Sequence, residues 1–274
     1  MGFEYTQEII RKMQLVELDM LKEVDRICKK NNITYILDAG TLLGAYRHKG
    51  FIPWDDDVDI RMLRSEYERF CEVCKTELDT SKYFLQNHKT DPGYRWGYAR
   101  MLRNGTSFQR AGQDMLKMKR GIFIDIFPVD ALPDGKVAKA IYNCKCWIAR
   151  KMLYSEVALG NYKPGIKKLG FWFLNLFPKE KAFKIFENLS RKYNCKDLKK
   201  VRIQGWGDPV DSAGFEKKWF LETDEIWFED AYFSCPKDVE GFLEHSFGKD
   251  YMTPPPEDER KPRHVATKIL FPED

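Results

Sequence analysis

Residues 37–60 read LDAGTLLGAYRHKGFIPWDDDVDI, and four of the last six are aspartates. Two unit charges about 4 Å apart repel by roughly 4 kcal/mol at an effective dielectric of about 20. So dense a cluster is either a solvated acidic turn or the seat of a cation. The run ITYILDAG (33–40) is β-branched and apolar and reads as a buried strand. Thr41 can cap a short helix beginning LLGAYR, HKGFIPW is a connection, and DVDI opens a second strand. Side chains alternate along a strand, so Asp57 and Asp59 share one face while Val58 and Ile60 point to the core. Two carboxylates held in this way suit a hard cation such as Mg²⁺, which takes a few carboxylates together with substrate phosphates. A calcium loop is the rival reading, since Asp55, Asp57, Asp59 and Glu66 keep its ligand spacing. Ile60 stands where that loop needs glycine, and GFIPW is no incoming helix, so the rival is set aside.

A third acid lies in IFIDIF. An ionised Asp125 among isoleucines and phenylalanines needs a buried arginine or a metal as partner. On a strand beside Asp57 and Asp59 it would complete a three-carboxylate site. Gly40-Thr41 adds a helix start whose free N–H groups and dipole favour an anion, with an ordinary cap as the alternative.

The surrounding chain is that of an ordinary globular protein: 274 residues, 43% hydrophobic, 32% charged, net charge +4, without repeats or low-complexity tracts. Its overall charge makes no case for nucleic acid. MGFEYTQEII is no secretory signal, although Gly2 and Thr6 fit the loose myristoylation pattern. The longest apolar run, LGFWFLNLFP (169–178), is about half of the roughly 20 residues that span a bilayer. Seven cysteines without a secretion signal read as reduced thiols, and the pairs Cys71/Cys74 and Cys144/Cys146 read as helical residues in preference to a zinc site.

Ile9, Met13, Val16, Met20, Val24 and Ile27 mark a helix over 6–30 that Asn31 and Asn32 stop. SEYERFCEVCKTEL (65–78) is a second, with Ser65 as cap. GYARMLRNGTSFQR holds two extended runs joined by Asn104-Gly105, a hairpin signal. GIFIDIFPVD (121–130) is a buried strand ended by Pro128. From about 136 the pattern turns helical, broken at Pro164-Gly165 and Pro178, and TPPPEDERKP is a loop.

LDAGTLLGAYRHKGFIPWDDDVDI followed by GIFIDIFPVD closely resembles the LicD family, which is related to fukutin, and FLEHSFGKDYMTPPP (242–256) is similar to that family's C-terminal segment. The resemblance covers most of the chain and is weakest over about 136–225. It implies a nucleotidyltransferase-like α+β fold, a mixed β-sheet core flanked by helices, with a mainly helical C-terminal half. One domain would span 1–274, with the catalytic core in 31–135 and a helical lobe in 136–274. It implies that Asp57, Asp59 and Asp125 hold Mg²⁺ (Mn²⁺ as the alternative) and form the catalytic set, with Gly40 and Thr41 at the donor's phosphates. Family members are linked to moving phosphocholine, or a related phospho-alcohol, from a CDP-activated donor such as CDP-choline onto a cell-surface glycan precursor, a teichoic acid or lipopolysaccharide. CMP leaves, and Asp125 is our choice of base for the acceptor hydroxyl. Nucleotide transfer to a small-molecule hydroxyl and a non-catalytic cation- or glycan-binding subunit are the alternatives.

Arg47 and Arg100 could clamp a phosphate bidentately, and Arg100 matches a position usually basic in the family. Arg103 and His48 read as surface residues, Trp54 as a packing anchor. A choline ammonium calls for an aromatic cage, for which Trp96, Tyr98, Trp206 and Trp219 are candidates with core packing as the alternative. YKPGIKKLGFWFLNLFPKEK has an apolar centre flanked by lysines, as both buried and membrane-surface helices do. The expected location is cytoplasmic, with peripheral contact at the inner membrane face through 169–178 as an option.

Overall fold

The computed structural model describes residues 5–205 and 209–272. Helix α1 (Gln7–Lys30) begins where the Thr6 hydroxyl accepts from Ile9 N–H, and it stops at Asn31. Met13, Met20, Val24 and Ile27 of the expected stripe are buried, and Ile10, Leu18 and Leu21 widen it. There follow β1 (Ile36–Leu37), α2 (Ala39–His48), β2 (Asp59–Leu63), α3 (Arg64–Glu77), β3 (Tyr83–Gln86), β4 (Ala99–Arg103), β5 (Ser107–Arg110) and β6 (Phe123–Ala131). The remainder comprises α4 (Lys136–Asn161), α5 (Ile166–Asn175), α6 (Lys179–Arg191), β7 (Lys200–Ile203), α7 (Pro209–Ala213), β8 (Phe215–Glu216), β9 (Thr223–Phe228), β10 (Ala231–Pro236), α8 (Val239–Phe247) and β11 (Ala266–Leu270).

The fold is mixed α+β. Helices fill 136–191 as the periodicity predicts, but the expectation of a mainly helical second half fails beyond Arg191. Runs such as KVRI, TDEIWF and AYFSCP carry the β-branched and aromatic residues that prefer strands, and they form β7, β9 and β10.

The central sheet runs β1-β2-β6-β4-β3, with β7 on the far half of β6 and β8 beyond it. Strand β6 is its axis, parallel to β2 and antiparallel to β4 and β7. Pro128 does not end β6. Asp125 N–H donates toward β2, to Val58 O, so position 128 faces the opposite side. There β4 has finished at Ile126 and β7 begins at Val129, and no ladder bond is lost. The predicted hairpin at Asn104-Gly105 is not formed either. Both flanks of β4 are taken by β3 and β6, and β5 pairs with β11. Ser65 is not the cap of α3, whose N-cap position is Leu63. Helices α1 and α3 pack on the sheet through the buried Ile60, Met62, Ile124 and Ile126 side, which leaves the opposite face of β2 and β6 to the acids.

Asp130 at the end of β6 ties the layers together. It receives both Arg64 Nε (2.9 Å) and Nη2 (2.6 Å) from α3 and Asn194 Nδ2 (2.7 Å) from beyond α6, and is 1% exposed. Removing one partner of a buried pair strands the other's charge. Asp130→Ala should cost about 3–5 kcal/mol in urea unfolding; a loss below about 1 kcal/mol would mean that water replaces the pair.

Candidate active site

The parallel pairing of β2 with β6 sets Asp59 directly beside Asp125, and the antiparallel pairing of β4 sets Arg100 on the other side of Asp125. Asp57, just ahead of β2, joins Asp59 and Asp125 on the wall of one cavity of about 410 Å³, shared with Arg110, Arg263 and His264. The three acids singled out from the sequence therefore line one cavity, although Asp59 and Asp125 are not part of the group of ligand atoms that converges within 4.8 Å among the described residues. A larger cavity, about 690 Å³, lies between α3, β3 and α6 and contains none of them.

Burial pushes the proton affinity of all three upward. For Asp59 the neighbouring Asp125 adds to it, and for Asp57 the neighbouring Asp59 and Asp55 do. Asp125 rises less freely, since Arg100 Nε donates to its Oδ1 at 2.7 Å. That pair is buried on both sides, so a buried arginine is indeed one partner of Asp125. Oδ2 has no hydrogen-bond partner among the described residues. Asp55 is pushed to about 6, by burial and then by Asp56.

The other singled-out residues sit around this group. Thr41 does not cap α2, whose N-cap position is Asp38. Its hydroxyl instead accepts Asp59 N–H at 2.9 Å and so fixes the strand that bears the acid. A Cβ on Gly40 would lie 2.4 Å from an oxygen of Asp55, so glycine there lets the acidic loop close on α2. Arg47 donates to Tyr251 O and to His48, outside the cavity wall. Trp54 lies under the Arg260 guanidinium, and Arg103 pairs with Asp19. Of the cage candidates, Trp96 and Tyr98 surround the Arg100 guanidinium at 5.3 and 5.9 Å, together with Phe123 at 3.9 Å. Trp219 is buried and bonded to Asp238, and Trp206 lies outside the described residues.

Residues 32–153 match the family model described as "LicD/FKTN/FKRP, nucleotidyltransferase domain". The lipopolysaccharide cholinephosphotransferase LicD of Haemophilus influenzae is 30% identical over 285 aligned residues, covering 96% of this chain and 98% of that protein. The chain belongs to the LicD family. Shorter matches join it to uncharacterized proteins of Rickettsia prowazekii, 44% identical over 83 residues (23% of this chain, 31% of the relative), and of Rickettsia typhi, 40% identical over 65 (24% and 21%).

Several residues of this LicD-family site had no signal in the sequence. The Asp56 carboxylate accepts Arg263 N–H at 2.9 Å and His264 N–H at 3.0 Å. His264 Nδ1 then lies 3.6 Å from Asp57 and 3.7 Å from Asp56 without a hydrogen bond among the described residues, and burial and the nearby Arg110 hold the ring neutral. Asp56, Asp57 and His264 offer ligand atoms within 4.8 Å of one another. Arg110 and Arg263 reach the cavity without an ion-pair partner among the described residues. Arg61 bridges Asp38 and Asp211 over the face of Phe215. Glu17 on α1 is buried against the cluster, with a proton affinity raised well above the usual range by burial and then by Asp56. Buried carboxylates in excess over their paired cations, with a neutral, unpartnered imidazole, form a donor set that fits a divalent cation.

The sign of this excess can be tested without substrate. A carboxyl raised in the fold contributes stability below its ordinary value of 3.8 and loses it as pH climbs through the folded value, about 6 for Asp55 and above the ordinary range for Asp57 and Asp59. His264 acts in the opposite sense on acidification, and is common to the variant and the parent. In chelator at about pH 7.5, Asp59→Asn should therefore melt a few degrees above the parent, at about 2–4 °C per kcal/mol. The gap should shrink toward about pH 5 and reverse with a divalent cation. A variant that melts lower than the metal-free parent at about pH 7.5 would sink the argument.

Proposed function

We propose that this LicD-type phosphotransferase moves phosphocholine, or a related phospho-alcohol, from a CDP-activated donor to a sugar hydroxyl of a cell-surface glycan precursor. The observation that carries the reading is the near full-length similarity to a lipopolysaccharide cholinephosphotransferase, in a chain whose three acids meet at one cavity. We read the sheet as nucleotidyltransferase-like and residues 1–274 as one unit acting in the cytoplasm, with β7 and β11 pairing onto β6 and β5 of the first half in support.

In this reading Asp57, Asp59 and Asp125 hold Mg²⁺, with Mn²⁺ the alternative that His264 would favour. The cation supplies neutralisation of charge on the attacked and leaving phosphates. Arg110 and Arg263 face the same cavity and take the phosphate oxygens, in preference to Arg47. Arg100 orients Asp125 through Oδ1, and Oδ2 takes the proton of the acceptor hydroxyl. The hydroxyl then attacks the phosphorus of the phospho-alcohol, and CMP departs. Thr41 and Gly40 serve the donor by keeping Asp59 and Asp55 in place.

Incubation with CDP-choline and a deacylated lipopolysaccharide or teichoic acid should release CMP and add phosphocholine mass to the glycan. Asp57→Asn and Asp59→Asn should each lower kcat by at least about 10³-fold with the fold intact by circular dichroism, and Arg110→Ala should raise KM for the donor by about tenfold or more. Attachment of a whole nucleotide to the product would replace this reading with nucleotidyl transfer. Near-parental turnover by both aspartate variants would refute the metal assignment.

A further inference from the structure

Helix α5 is turned inside out relative to an ordinary surface helix. None of its ten residues is buried. Ile166, Leu169, Trp172 and Phe173, with Leu176 and Phe177 just beyond its end, are 49–90% exposed. Their spacing by threes and fours places them along one stripe. The inner side is already used: Phe171 stacks on Tyr162 and meets Tyr154 edge-on, and Leu174 packs on the small core between α4 and α6. So the large apolar side chains face away from the fold.

Charge decides what covers them. From residue 157 to 179 there are four lysines, Lys163, Lys167, Lys168 and Lys179, and no aspartate or glutamate. Beside α5, Lys151 approaches Phe171, and it lines an aromatic pocket of about 280 Å³ with Arg150 and with Arg95, whose own charge is paired with Glu156. Arg150 Nη1 in that pocket is buried without a hydrogen-bond partner among the described residues. A second copy of the chain laid on α5 would set lysines against lysines. A bilayer with anionic headgroups complements both features at once: the stripe enters the acyl boundary, and the flanking cations meet lipid phosphates. At about 15 Å the helix is too short to cross and lies in the interface plane, where tryptophan and phenylalanine side chains settle well. No described helix is long and apolar enough to cross a membrane.

We propose that α5 docks this protein on the surface of an anionic lipid bilayer. The docking goes beyond the transfer reaction and is read without donor or acceptor, so failure of either leaves the other standing. The test is flotation of the full chain with vesicles of phosphatidylcholine containing about 30 mol% phosphatidylglycerol. The protein should float with them and bind at least about tenfold less to pure phosphatidylcholine or in about 0.5 M salt. Trp172→Glu with Leu176→Glu should lose about tenfold or more of the binding while melting temperature and CMP release stay at the parental level. The proposal is overturned if the parent stays in the soluble fraction, if the double variant floats equally well, or if binding ignores lipid charge. It is overturned equally if light scattering finds a parental dimer that the double variant dissolves, because the stripe is then covered by a second copy.

Discussion

Asp59 and Asp125 stand at the same level on adjacent parallel strands, and much of the molecule is arranged around the repulsion between them. Their backbones cannot separate, because β2 and β6 are hydrogen-bonded above and below that level. Arg100 on the third strand offsets one charge, and it does so from a buried position walled by aromatic rings, where a guanidinium keeps its charge. Among the described residues the other charge has no such partner. The neighbouring contacts (Thr41 on Asp59 N–H, Arg61 on Asp38, backbone N–H groups on Asp56) immobilise the acids without neutralising Asp57 or Asp59. The result is a rigid cavity with a standing demand for positive charge, which a cation can answer together with Arg110 and Arg263, neither of them ion-paired among the described residues.

Part of this was legible in the sequence, for physical reasons that can be named. The Asp57/Asp59 pair declared itself through strand alternation, and Asp125 through the cost of an ionised group in an apolar strand. The helices of 136–191 were legible because Pro164-Gly165 and Pro178 punctuate them. Thr41 was read as a cap because a short hydroxyl next to a helix start usually is one. Here the strand acid's N–H lies within reach and wins, and nothing local tells the two outcomes apart.

The residues missed have a common origin. Arg110, Arg263 and His264 come from β5 and the segment before β11, and their meeting depends on a pairing between strands more than 150 positions apart. The Asn104-Gly105 turn is real, with Gly105 at φ +76°, but the strand before it had no free edge to offer. A local turn signal cannot report on an edge already occupied. The strands beyond Arg191 were missed for a related reason: runs rich in aromatics and charges fit an exposed helix face or a hairpin equally well until their partners are known.

The clasp between the acidic loop and the C-terminal segment also has a consequence in time. Asp56 accepts its two backbone N–H groups from positions 207 and 208 residues further on, and Tyr5, ahead of α1, bonds the same segment. At about 5–20 residues per second, a ribosome needs about 10–40 s to make the chain between them. For that interval the nascent protein carries the acids but not the clasp that holds them. Completion of the site thereby waits until residues 263 and 264 have been made, and a chain stalled or clipped before them has the motif without the clasp.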